Sequence, residues 1–200
     1  MLDQAMRVRA APVLDRAARG LSGAGVRAGA LTGAGLVVGV AACAAVATKR
    51  WDVALALWLL NRGFDGLDGA VARRTGASEL GGLLDFVADF VVYSGFIVGV
   101  AIAEPDARLA CVVLLASYLV NNVALLSFSS LVERLGLSFG DERSLRLTAG
   151  LAEGTETIVV YVLFCVFPNA AAEIAWVFAG MVAVTAAQRV AVAVRVLGAR

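Results

Sequence analysis

Six apolar stretches, each close to the length that crosses a bilayer, constrain this chain more than any other feature. They run over 31–48, 53 to about 73, 80–103, 107–132, 148–167 and 171 to about 197. A hydrocarbon core of about 30 Å needs about 20 helical residues to cross it, and lipid offers no partner to an unpaired backbone amide. The expected fold is an all-α integral membrane protein, a six-transmembrane-helix bundle. Composition agrees: 60% of residues are hydrophobic and 16% charged, against about 25% charged in soluble domains. Pro105 and Pro168 fall between stretches, where a fixed φ and a missing N–H suit a turn.

Charge is segregated along these spans. Six crossings put both termini on one side. That side holds Arg7, Arg9, Arg16, Arg19, Arg27, Arg73, Arg74, Arg134, Arg143, Arg146, Arg195 and Arg200, whereas the other holds Lys49, Arg50 and Arg108. The positive-inside rule then places both termini in the cytoplasm. Residues 1–30 are not a signal peptide, because arginines interrupt any apolar core. Leu2, Met6, Ala10, Val13 and Leu14 recur at near-helical spacing, which predicts an amphipathic interfacial helix on the cytoplasmic face. The expected division is an N-terminal segment over 1–30 and a six-helix membrane domain over 31–200.

The chain has no histidine, which excludes a Ser-His-Asp triad, a Cys-His dyad and imidazole metal ligands. Its cysteines, Cys43, Cys111 and Cys165, lie inside apolar runs and read as small hydrophobes. Acid–base and metal chemistry therefore falls to carboxylates. Four of them, Asp65, Asp68, Asp85 and Asp89, stand at or inside the ends of the second and third spans. One such charge at a helix centre costs at least about 2.5 kcal/mol on insertion scales, so four demand a reason beyond helix capping. At about 100° per residue, Asp65, Asp68, Gly69, Ala72 and Arg73 share one helical face. Asp85 and Asp89 lie one turn apart on the next helix, in line with Gly81. A hairpin through 74–78 would set the two pairs opposite each other. Such a cleft needs protons or cations to relieve its repulsion, and oxygen-only donors suit Mg²⁺, Mn²⁺ or Ca²⁺. The glycine-rich runs over 20–39 and 63–82 read as sites of close helix packing.

These residues resemble the CDP-alcohol phosphatidyltransferase family, whose signature D-x-x-D-G-x-x-A-R, a spacer, then G-x-x-x-D-x-x-x-D is filled here by Asp65, Asp68, Gly69, Ala72, Arg73, Gly81, Asp85 and Asp89. The spacer from Arg73 to Gly81 is one residue shorter than usual. The resemblance implies phospholipid biosynthesis: transfer of a phosphatidyl or other substituted phosphoryl group from a CDP-linked donor such as CDP-diacylglycerol to an alcohol, with release of CMP. It also implies two divalent cations, Mg²⁺ or Mn²⁺, held by Asp65, Asp68, Asp85 and Asp89, with Asp89 as general base. Thr32, Gly69, Ala72, Arg73 and Ser78 would contact the nucleotide donor, although the asparagine often found shortly before that threonine is absent. The expected setting is a bacterial inner membrane with a cytoplasmic active site, a homodimer, and no nucleic-acid partner.

The acceptor is less specified. Glu153 and Glu156 share one face of the fifth span with Thr157, and Arg143, Arg146 and Arg189 could meet a phosphorylated acceptor. Asn121 and Asn122 fit either helix–helix hydrogen bonding or a dimer contact. Intramembrane carboxylates also build cation or proton pathways, so a divalent-cation transporter is the alternative. Its acids would be expected near the midplane and in both halves of the chain, not in one hairpin beside an arginine.

Overall fold

The computed structural model describes residues 2–136 and 154–198, and within 2–10 the backbone alone. Among the described residues every regular element is helical: α1 (Leu2–Gly23), α2 (Ala28–Ala47), α3 (Trp51–Thr75), α4 (Glu79–Ala103), α5 (Arg108–Arg134), α6 (Gly154–Val166) and α7 (Ala171–Gly198). Short 3₁₀ turns begin at Pro105 and Pro168, the connections where the prolines predicted turns. α2, α4, α5 and α7 are long and apolar enough to cross a membrane. α3 is long enough, with 25 residues, but carries Arg62, Asp65, Asp68, Arg73 and Arg74, while α6 has 13 described residues.

The helices end where the chain can turn. Lys49 takes a positive φ of 59° between α2 and α3. α3 closes with Arg73 and Arg74 in its last turn, where cations suit the negative end of the helix dipole. Gly76 follows at φ 101°, a conformation open to glycine at little cost. Ser78 then caps α4, its Oγ accepting a hydrogen bond from the Gly81 amide at 3.1 Å. The link between α3 and α4 is thus only 76–78, and it accommodates the shortened spacer without disturbing either helix.

α2 packs against both α3 and α4, and α5 against α7. Aromatic rings join the layers: Trp58 on α3 stacks on Tyr161 of α6 with centroids 4.7 Å apart, and Phe96 of α4 meets both. The Tyr161 hydroxyl donates to the Tyr93 carbonyl at 2.9 Å. Cys111 and Cys165 are buried and Cys43 partly so, all unbridged. Large apolar side chains such as Leu83, Val91, Val112, Leu119 and Val177 point outward, the distribution expected of a surface that meets acyl chains rather than water. α1 packs on α3 and α6, with Ala18 fully buried and Leu14 against Gly66.

Close packing accounts for only some of the glycines. A Cβ on Gly35 would lie 3.1 Å from Phe64 Cβ, and one on Gly39 would strike Val92 and Asn61. Gly20, Gly29, Gly33, Gly63 and Gly82 would meet nothing within 4 Å, so the packing expected throughout both runs holds only in part. At Gly99 the obstruction is backbone: a Cβ would stand 2.8 Å from the Cys43 carbonyl oxygen, which cannot swing aside as a side chain can. Gly99→Ala is expected to destabilise the bundle by about 1–3 kcal/mol through overpacking. Gly180→Ala, where nothing lies within 4 Å, should leave the thermal midpoint in detergent undiminished. Equal midpoints for the two variants would refute this packing account.

Candidate active site

Helical periodicity assembles the acidic site. Asp65 and Asp68 stand three residues apart on α3, Asp85 and Asp89 four apart on α4, and the tight 76–78 link sets the two faces together. Carboxylate oxygens of Asp65, Asp68 and Asp85 all lie within 4.8 Å of one another. Asp68 is the most deeply placed, at 4% exposure, and its Oδ2 accepts a 2.7 Å hydrogen bond from Thr32 Oγ1 on α2. All four aspartates, with Thr32, Gly35, Asn61 and Arg62, line one small cavity of about 10 Å³, room for roughly one water-sized guest. Three convergent carboxylates with no nitrogen or sulfur donor fit a hard divalent cation such as Mg²⁺ or Mn²⁺.

Asp89, outside that triad, is engaged by a cation that also reaches Asp65. Arg62 Nη2 donates to Asp89 Oδ1 at 2.9 Å, and Nη1 lies 3.6 Å from Asp65 Oδ2. The guanidinium is held on every side: Nε and Nη2 donate to Asn61 Oδ1 at 2.9 and 2.6 Å, and Nη1 to the Tyr93 hydroxyl at 2.6 Å. Its carbon sits 4.8 Å from the Trp58 ring centroid and 4.9 Å from that of Tyr93, within cation–π range. Asn61 in turn donates from Nδ2 to the Gly35 carbonyl at 2.8 Å, tying the arrangement to α2.

The other expected site residues distribute as follows. Arg73 is exposed and Ala72 half-buried on the same helix. A Cβ on Gly69 would meet only Arg73 Nη1, at 3.4 Å, so that surface is open to a ligand rather than filled by another helix. Ser78 is engaged as the α4 cap. Arg189 donates from Nη1 to Asn121 Oδ1 at 2.9 Å, which makes Asn121 a link between α5 and α7. Glu156 is half-buried on α6, and neither it nor Arg189 lines the acidic cavity. Arg143, Arg146 and Glu153 lie outside the described residues. Arg62, Asn61 and Tyr93 are the site residues that sequence reasoning missed. A signal existed: Arg62 and Arg189 fall well inside expected spans, more than five residues from either end.

Comparisons with known proteins bear on this geometry. The sequence family described as CDP-alcohol phosphatidyltransferase matches residues 26–194. The chain is 36% identical over 171 residues to "Inner membrane protein YnjF" of Escherichia coli, covering 84% of this chain and 83% of that one. Its fold is similar to the phosphatidylinositol phosphate synthase of Mycobacterium tuberculosis. The form solved with CDP-DAG bound superposes with a TM-score of 0.73 at 20% identity, covering 92% of this chain and 94% of the other. The form solved with manganese and citrate gives 0.73 at 23% identity, covering 90% and 88%.

Proposed function

Because the chain belongs to the CDP-alcohol phosphatidyltransferase family, we propose that it transfers a phosphatidyl group from CDP-diacylglycerol to an alcohol and releases CMP, at a site facing the cytoplasm of a bacterial inner membrane. The observation that carries this reading is the meeting of Asp65, Asp68 and Asp85 within 4.8 Å, beside Asp89 in one cavity. The relative named for the inner membrane and the fold relatives solved with CDP-DAG and with manganese support the location, the donor and the metal. Six crossings, cytoplasmic termini, an interfacial α1 and a homodimer belong to the same proposal.

In this reading Asp65, Asp68, Asp85 and Asp89 hold two divalent cations. Ions held there would neutralise the diphosphate and stabilise charge developing on departing CMP. Thr32 fixes the orientation of Asp68 by donating to Oδ2. Gly69 leaves room for the nucleotide beside Arg73, whose exposed guanidinium suits a phosphate oxygen. Asp89 takes the proton of the acceptor hydroxyl as it attacks phosphorus. Arg143, Arg146, Glu153, Glu156 and Arg189 are the candidates for acceptor recognition. The transporter alternative is disfavoured because Arg62 occupies the acidic cleft, where a fixed guanidinium repels a passing cation.

The test is a transfer assay in membranes with radiolabelled CDP-diacylglycerol against glycerol 3-phosphate, inositol phosphate, inositol, serine and choline. One acceptor should yield labelled lipid and stoichiometric CMP, and chelation of divalent ions should abolish both. CMP release that survives chelation would contradict the metal-dependent reading. Divalent-ion flux through vesicles without CMP release would favour the transporter.

A further inference from the structure

Arg62 is a buried cation, and five contacts fix its guanidinium. Its side chain is 8% exposed, two aromatic rings flank it, and three hydrogen bonds to Asn61 and the Tyr93 hydroxyl lock its plane. From that seat it reaches Asp89 at 2.9 Å and Asp65 at 3.6 Å. Burying an arginine in a membrane helix is costly, and a cation used only to hold helices together would not need to sit among carboxylates suited to a metal. We propose that Arg62 is a positioning residue that clamps Asp89 through Oδ1, leaves its Oδ2 for the reaction, and opposes metal binding while favouring turnover. The proposal rests on the reading of this cluster as a divalent-cation site.

The chemistry follows from charge and shape. Four carboxylates and one guanidinium leave the cleft strongly negative, so it still attracts divalent ions. Each ion must nevertheless approach a fixed positive charge, which weakens its binding at short range. In exchange, the clamp holds Oδ1 of Asp89, so that the carboxylate cannot turn both oxygens onto a metal and Oδ2 keeps a fixed direction. Lysine could supply the charge but not the planar fork that spans Asn61, Tyr93 and Asp89.

The test is Mn²⁺ titration by electron paramagnetic resonance, together with transfer kinetics, on wild type, Arg62→Gln, Arg62→Lys and Tyr93→Phe. Arg62→Gln is expected to bind Mn²⁺ about 10-fold more tightly, because the repulsion is gone, yet to lose at least about 10-fold in kcat. Arg62→Lys should keep wild-type Mn²⁺ affinity and still lose kcat. Tyr93→Phe keeps charge and ring but removes the hydroxyl that steadies Nη1. It should lower kcat several-fold with donor KM and Mn²⁺ affinity unchanged, and it carries the test if Arg62→Gln does not fold. Weaker or unaltered Mn²⁺ binding in folded Arg62→Gln, or full turnover in Tyr93→Phe, would overturn the proposal. A wild-type protein that binds no Mn²⁺ would instead overturn the metal-site reading beneath it.

Discussion

Asp89→Asn is expected to lower transfer by about 10²–10⁴-fold, the range for removing a general base, while donor binding persists. The substitution is nearly isosteric, and its amide oxygen can still accept from Arg62 Nη2, which now meets Asp89 Oδ1 at 2.9 Å. What disappears is the negative charge that would take the acceptor proton in the proposed reaction. Asp65, Asp68 and Asp85 retain their mutual approach within 4.8 Å, so Mn²⁺ should continue to anchor the nucleotide. Single-turnover CMP release beside equilibrium binding of labelled CDP-diacylglycerol separates the two effects. Near-normal release from Asp89→Asn would show that another group, or the metal alone, accepts the proton.

The second large effect falls on the opposite side of that division. Asp65→Ala removes a member of the carboxylate triad and also the carboxylate 3.6 Å from Arg62 Nη1. Loss of an outer-shell partner alone typically costs 10–100-fold in metal affinity, and a direct ligand should cost at least about that much. Donor binding should fall with it, because nothing then screens the diphosphate from Asp68 and Asp85. Asp52→Asn, an exposed acid in the first turn of the same helix, should change neither quantity. Unaltered Mn²⁺ affinity in Asp65→Ala would remove the residue from the metal site.

Much of this was legible in the sequence because lipid makes periodicity unusually informative. The apolar stretches anticipated α2 to α7 closely, and the spacing of Asp65 with Asp68 and of Asp85 with Asp89 anticipated one shared cavity. α3 is the exception: the sequence reads it as a span, yet its charges leave it outside the helices apolar enough to cross a membrane, and the same charges line the acidic cavity. Arg62 escaped notice for a related reason. Spacing alone cannot tell whether an arginine in a span snorkels to the interface or turns inward, and its direction here is fixed by Trp58, Asn61 and Tyr93, residues from two helices. Arg189 likewise has a partner that spacing could not name, Asn121 across α5 and α7. Gly69 and Gly39 illustrate the same limit, since identical residues lie on an open face in one case and in a crowded helix contact in the other.

The most direct measurement is manganese anomalous scattering from crystals grown in lipid with Mn²⁺ and CDP-diacylglycerol. The account predicts an anomalous peak about 2.1 Å from carboxylate oxygens of Asp65, Asp68 and Asp85, with Arg62 still on Asp89. Manganese bound elsewhere, or no peak in a cleft that holds the donor, would contradict it.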